Sequence, residues 1–312
     1  MSELRFKNND IFPDFGLGTW LSKPEEVYYA VIEALKCGYR HIDCAYIYGN
    51  EKEVGKALKY AYDTKIVTRE ELFITSKLWN SDHSPERVFP AIQKTLKDLQ
   101  LDYLDLYLMH WPIAFKPGHE QSRTIEDLAT LDEIPLEVTW KKMYELVEAG
   151  LTKHIGVSNF NIPKISKLIN NTGISPEVNQ VEMHPYFQQK ELLEFCNDNN
   201  ILVTAYAPLG SRHLINTAEG IQYDETIKKI AEKHECSETQ VILAWGMERG
   251  TMVIPKSVTP SRIKDNFGAT KVVLDDMDML EINKLDRGHR NSKALFVILP
   301  NGPYTFESIW LE

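Results

Sequence analysis

Eight times along this chain a short apolar run gives way to a loop, an amphipathic helical stretch and another short apolar run. That alternation constrains the fold more than any other feature, because strands joined by helical crossovers must run parallel in one sheet. Strands are expected near 15–19, 41–45, 72–78, 103–110, 154–158, 178–183, 202–207 and 252–256. Helices are expected at about 24–37, 51–63, 85–99, 137–149, 162–171, 189–199, 225–247 and 260–267, with a break in the seventh near Cys236 and Ser237. No composition break divides the sequence, so the expectation is an α/β chain forming a single (β/α)8 barrel, the TIM-barrel architecture, over residues 1–312. Residues 4–12 alternate around Asn8, Asn9 and Asp10 and read as an N-terminal β-hairpin plugging one end. An extra C-terminal helix is expected at 275–286, followed by a C-terminal loop, 288–312, carrying Phe296, Tyr304, Phe306 and Trp310. Two connections, 112–136 and roughly 208–223, are too long for turns. Both follow strand C-termini, where barrels build their sites.

Charge and composition narrow the partners. The net charge of −10 argues against nucleic acid or an anionic membrane surface, so an anionic ligand would need a local basic pocket. No apolar stretch approaches the roughly 18 residues a membrane span requires. The start, Met1 to Arg5, lacks the pattern of a secretory signal, which makes the cytoplasm the expected compartment. Cys37, Cys44, Cys196 and Cys236 lie far apart with no C-x-x-C pair, so free thiols are expected, with neither zinc site nor disulfide framework.

Asp43, Lys77 and His110 fall at the ends of the second, third and fourth strands, which are neighbours on one face of a barrel. Tyr48 follows Asp43 closely, ahead of Asn50 and Glu53, which read as a capping box opening the next helix. Each of the four has an ordinary structural reading, whether packing, a solvated strand end or a core histidine. Together they make a constellation in which Asp43 holds Lys77, Lys77 lowers the pKa of the Tyr48 phenol, and His110 orients a small polar substrate. A hydrolase or metal site is less well served, since neither G-x-S-x-G nor H-E-x-x-H occurs. Trp20, Trp79 and Trp111 each lie just beyond a strand end and are candidate pocket walls.

Three stretches resemble the signatures of the aldo-keto reductases. The first is Gly38-Tyr39-Arg40-His41-Ile42-Asp43-Cys44-Ala45 with Tyr48, Glu51, Val54 and Gly55. The second comprises Leu96, Leu99, Asp102, Tyr103, Asp105, Leu106 and His110, and the third runs from Ile254 to Pro260 with Arg262 and Asn266. The resemblance spans nearly the whole chain. It implies a tetrad of Asp43, Tyr48, Lys77 and His110, with Tyr48 as proton donor to a carbonyl oxygen while a nicotinamide delivers hydride to the carbon. It further implies that Ser158, Asn159 and Gln180 hold the nicotinamide carboxamide and that Tyr206 stacks on its ring. Thr19, Trp20, Asp43 and Val258 are the remaining expected cofactor neighbours, and Pro208, Leu209 and Ser211 belong to a loop over the pyrophosphate.

The phosphate must be held without a Rossmann fingerprint, because Gly16-Leu17-Gly18 is followed by Leu21 where G-x-G-x-x-G needs a third glycine. Lys256, Ser257 and Thr259 close the last strand, with Arg262 and Asn266 on the first turns of the following helix. A cation cluster at a helix N-terminus suits a dianionic phosphate and favours NADPH (NADP+) through its 2′-phosphate. NADH is expected as a weaker second cofactor, since Asp265 stands where the family usually has glutamate. Trp20, Tyr48, Trp79, His110 and Trp111 would contact a small-molecule carbonyl substrate, an aldehyde or possible aldose or ketone. The alternatives are NAD(P)-dependent alcohol or polyol oxidation and a non-enzymatic cofactor-binding sensor. The resemblance also implies a monomer or weak homodimer.

Overall fold

Each of the eight expected strands forms, and all eight pair in parallel in one sheet. A computed structural model describes residues 3–211 and 220–311. In chain order the barrel strands are β1 (Leu17–Gly18), β2 (His41–Asp43), β3 (Phe73–Leu78), β4 (Leu104–Met109), β7 (Thr152–Ser158), β8 (Val178–Glu182), β9 (Leu202–Tyr206) and β10 (Thr251–Val253). Sheet order follows sequence order, with β4 directly beside β7. Parallel bridges from Phe15 to Val253 and from Gly18 to Lys256 close the ring between its first and last members. The inner residues of β3 and β4 are buried without exception, as strands covered on both faces must be.

The helices cover the outside, and their local causes are plain in the sequence. In α1 (Pro24–Cys37) a proline opens the helix, Glu25 and Glu26 sit in the first turn, and Gly38 ends it with φ of 111°. Val27, Ala30, Val31, Ala34 and Leu35 make its buried stripe. Next come α2 (Glu51–Asp63), α3 (Pro85–Leu99), α4 (Leu136–Glu148), α5 (Ile162–Thr172) and α6 (Lys190–Asp198). The expected break in the seventh helix is present, giving α7 (Glu225–Lys233) and α8 (Glu238–Glu248). Ser237 caps the second with a reciprocal bond from Gln240. Finally α9 (Pro260–Gly268) completes the ring, α10 (Asp276–Asn283) is the extra helix and α11 (Phe306–Trp310) lies in the tail.

The N-terminal hairpin pairs Arg5 with Ile11 and buries Phe6 and Phe12 against Phe73, Leu106, Val178 and Met252. It plugs the barrel end remote from the strand C-termini. The glycine pair 16 and 18 owes its identity to close packing, because a Cβ on Gly16 would lie 2.2 Å from Nδ1 of His41 and one on Gly18 2.9 Å from the Ile254 carbonyl oxygen.

The 112–136 connection is structured. It folds into a hairpin of β5 (Ala114–Phe115) and β6 (Leu128–Ala129). The Tyr304 hydroxyl clasps both strands, accepting from the Ala114 N–H (2.8 Å) and donating to the Ala129 carbonyl (2.7 Å). Residues 212–219 of the second long connection lie outside the described residues. No helix among the described residues is long and apolar enough to cross a membrane.

Candidate active site

The register of β2, β3 and β4 brings the polar strand ends together. Lys77 is fully buried, and its Nζ donates to Asp43 Oδ2 at 2.7 Å, to the Cys44 carbonyl at 2.8 Å and to the Tyr48 hydroxyl at 3.3 Å. On the far side of Asp43, Gln180 Nε2 donates to Oδ1 at 2.8 Å. The result is a continuous chain, Gln180 to Asp43 to Lys77 to Tyr48, drawn from β8, β2, β3 and the short turn after β2. All three ammonium protons of Lys77 are used, which is what makes a buried ion pair tolerable.

The expected capping box is absent. Asn50 instead turns its side chain inward, donating through Nδ2 to the Thr19 and Ser22 carbonyls at 2.9 and 3.0 Å. Two buried loop carbonyls need a donor more than the helix start needs an acceptor. Asn50 thereby ties the loop carrying Trp20 to the segment carrying Tyr48. Glu53 is left on the surface beside Lys56.

The electrostatics differ from expectation in one respect. Loss of solvation, reinforced by the Asp43 carboxylate, pushes the Tyr48 phenol well above its ordinary value, so Lys77 does not acidify it in the resting site. At neutral pH the phenol therefore holds its proton. The ammonium 3.3 Å away is placed to stabilise the phenolate once that proton leaves. For His110, burial and then the charge of Lys77 hold the imidazole well below its usual range, so it is neutral. Its ring meets Tyr48 and Trp79 edge to face, at 5.9 and 5.2 Å. Its Nδ1 has no partner among the described residues, and its backbone carbonyl accepts from Asn159 Nδ2 at 3.0 Å.

A buried acid stands behind the tetrad. Glu51 accepts from the hydroxyls of Ser76 (2.5 Å) and Thr95 (3.2 Å), and burial raises its carboxyl from 4.5 to about 7. Between those values the folded protein keeps a proton that the unfolded chain has lost, so stability falls as pH rises through that window. The integrated penalty is about 3 kcal/mol. Glu51→Gln is expected to flatten the dependence of the melting temperature on pH between 5 and 8 and to raise it at pH 8. An unchanged slope would refute the assignment.

The remaining expected cofactor residues line the same mouth from β7 round to β10. Ser158 Oγ donates to the Gln180 carbonyl at 2.8 Å and the Tyr206 hydroxyl to Asn159 Oδ1 at 2.7 Å, while Asn159 itself has φ of 65°. Thr19 is buried and bonds the Asp43 carbonyl through Oγ1 at 2.8 Å. Ala207, Gly210 and Ser211 all have positive φ, giving Pro208 and Leu209 a sharp turn off β9. Ser211 Oγ is buried and has no partner among the described residues.

Lys256 Nζ lies 3.4 Å from the Leu21 carbonyl, and Ser257 Oγ accepts from the Thr259 N–H at 3.2 Å. The Thr259 side chain makes no capping bond to α9, which opens on Pro260 and carries exposed Arg262 and buried Asn266 in its first two turns. An uncapped helix start flanked by two cations suits a phosphate dianion. Asp265 is turned the other way, accepting from Ser237 Oγ at 2.9 Å and Gln240 Nε2 at 3.2 Å, so it fastens α9 to α8.

Trp79 and Trp111 are buried and form a continuous wall with Phe296 and Trp310. Phe296 stacks on Trp79 at 6.2 Å and meets Trp111 at 5.2 Å, and Trp111 meets Trp310 at 5.8 Å. Trp20 is more than half exposed at the rim, apart from that wall. Sequence reading missed Asn50 as a tie and Tyr304 as a clasp, because both act on backbone carbonyls far away in the chain.

The closed parallel barrel thus carries a lysine-backed phenol and a neutral imidazole beside a cluster of aromatic rings. The chain belongs to the aldo/keto reductase family, whose model matches residues 14–287. It is 46% identical to an aldo/keto reductase of Synechocystis over 100% of this chain and 97% of that protein. It is 45% identical to aldo-keto reductase family 1 member A1 of Mus musculus over 89% of this chain and 87% of that protein. An aldose reductase structure from Schistosoma japonicum superposes with a TM-score of 0.87 at 42% identity, covering 95% of each chain. The chain is accordingly an NAD(P)H-dependent oxidoreductase of the carbonyl-reducing class.

Proposed function

We propose that residues 1–312 act as one catalytic unit reducing aldehydes to alcohols with NADPH, and that Tyr48 is the general acid. The observation that carries this reading is the buried chain Asp43–Lys77–Tyr48, which ends in a protonated phenol beside a neutral imidazole. When bound, the reduced nicotinamide supplies hydride to the carbonyl carbon. Tyr48 gives its proton to the carbonyl oxygen, Lys77 takes up the phenolate charge, and Asp43 keeps that ammonium in place. His110 donates one N–H to the same oxygen and fixes which face of the carbonyl is presented. Trp79, Trp111 and Phe296 receive an apolar or aromatic substituent, and Trp20 covers the rim. Free thiols at all four cysteines agree with work in the cytoplasm.

Ser158, Asn159 and Gln180 are assigned to the carboxamide and Tyr206 to the ring face. Lys256, Ser257, Thr259, Arg262 and Asn266 take the 2′-phosphate, Asp265 acting through the placement of α9, while Ser211 with Pro208 and Leu209 approaches the pyrophosphate. Lys256→Met and Arg262→Met are each expected to weaken NADPH binding roughly 10- to 100-fold, the scale of one charge-assisted contact, and NADH binding less than threefold. Fluorescence titration of both cofactors checks this. Equal weakening would contradict the 2′-phosphate assignment. Comparing NADPH-driven reduction with NADP+-driven oxidation of the matching alcohol tests the direction.

A further inference from the structure

Glu182 closes β8 at the catalytic face and is buried, yet neither proton transfer nor cofactor binding uses it. Its four acceptor contacts come from two places. His184 Nε2 lies 3.0 Å from Oε1, while the tail supplies the Asn291 N–H (2.9 Å) and Asn291 Nδ2 (2.8 Å) to Oε1 and the Ser292 N–H (2.7 Å) to Oε2. Burial alone would raise the Glu182 carboxyl, but the His184 contact and these two backbone N–H groups outweigh it and hold the acid below its usual range. It is therefore an ionised, fully hydrogen-bonded carboxylate on the rim of the barrel.

The tail that it grips is the one that builds the pocket. Directly before the contact, the Arg290 guanidinium lies 3.7 Å over the Trp310 ring and 4.5 Å over Phe187. Directly after it, Ala294 and Val297 are buried with Trp79, Trp111 and Trp310, and Phe296 closes on Trp79 and Trp111. One carboxylate thus fixes the point from which the outer wall of the pocket is hung. We propose that Glu182 is a positioning residue that latches the C-terminal tail to β8 and so sets the fit of aromatic aldehydes. The proposal rests on the aldehyde-reducing reading above.

Glutamine at 182 is nearly the same size but has one acceptor oxygen and one NH2 group. Whichever way the amide is turned, the NH2 group faces an N–H of Asn291 or Ser292, donor against donor. Asn291→Asp tests the same contact from the half-exposed tail without touching the barrel, by setting carboxylate against carboxylate.

Two readouts separate this latch from general damage. In hydrogen exchange measured by mass spectrometry, Glu182→Gln and Asn291→Asp are both expected to speed exchange of peptides within 290–311 roughly tenfold or more, with strands β2 to β4 unchanged. In steady-state kinetics both should raise KM for p-nitrobenzaldehyde roughly tenfold, with kcat and the KM for glyceraldehyde within about threefold. Unchanged tail exchange in both variants would overturn the proposal. So would faster exchange with identical losses for both aldehydes. If the unmodified protein turned over no aldehyde, the functional reading would fail, while the exchange result would still decide whether the latch exists. Should Glu182→Gln not fold, the same two readouts on Asn291→Asp decide between latch and no latch.

Discussion

Tyr48→Phe is expected to lower kcat by roughly 10²- to 10⁴-fold, the usual range for removing a general acid, while NADPH affinity changes less than about threefold. The substitution deletes one oxygen. The ring contact with His110 at 5.9 Å and the Lys77 bonds to Asp43 and Cys44 can all persist, so the pocket keeps its shape. What is lost is the hydroxyl joined to Lys77 at 3.3 Å. The loss should fall on kcat and kcat/KM alike, since the proton moves only in the transition state. A phenylalanine variant with near-normal turnover would refute Tyr48 as the donor.

Lys77→Met is expected to remove activity and stability together. Methionine fills the space but leaves Asp43, almost fully buried, with Gln180 as its remaining side-chain donor among the described residues. Uncovering a buried carboxylate in this way costs about 3 to 5 kcal/mol of folding stability. Turnover should fall at least as far as in Tyr48→Phe, because the developing phenolate loses its counter-charge. Adding Asp43→Asn to Lys77→Met removes the unpaired charge, so denaturant midpoints should recover much of the stability while activity stays absent. A double variant no more stable than Lys77→Met would show that the ion pair is not what the structure implies.

The barrel was legible because the eightfold alternation is a local property, repeated at every strand and helix. Even the break between α7 and α8 falls where Cys236 and Ser237 interrupt the helical pattern. The clustering of Asp43, Lys77 and His110 was legible for a related reason: they end consecutive strands, and parallel register brings those ends together. Burial energetics were less visible. Sequence spacing suggested that Lys77 acidifies Tyr48, whereas the loss of solvation, aided by Asp43, outweighs it in the resting site. Asn50 looked like a helix cap because a capping box is a local pattern, and the Thr19 and Ser22 carbonyls that claim it lie 31 and 28 residues away. The clasp made by Tyr304 and the tail contact of Glu182 were hidden likewise, since their partners are 190 and 109 residues distant.

The most direct test of the account is the loss of reduced-nicotinamide absorbance when the purified protein is mixed with NADPH and aromatic aldehydes, aliphatic aldehydes or aldoses. Turnover is expected to rank aromatic aldehydes first, through the wall of Trp79, Trp111 and Phe296. Tight NADPH binding with no turnover of any aldehyde would contradict it and point to a cofactor-binding sensor instead.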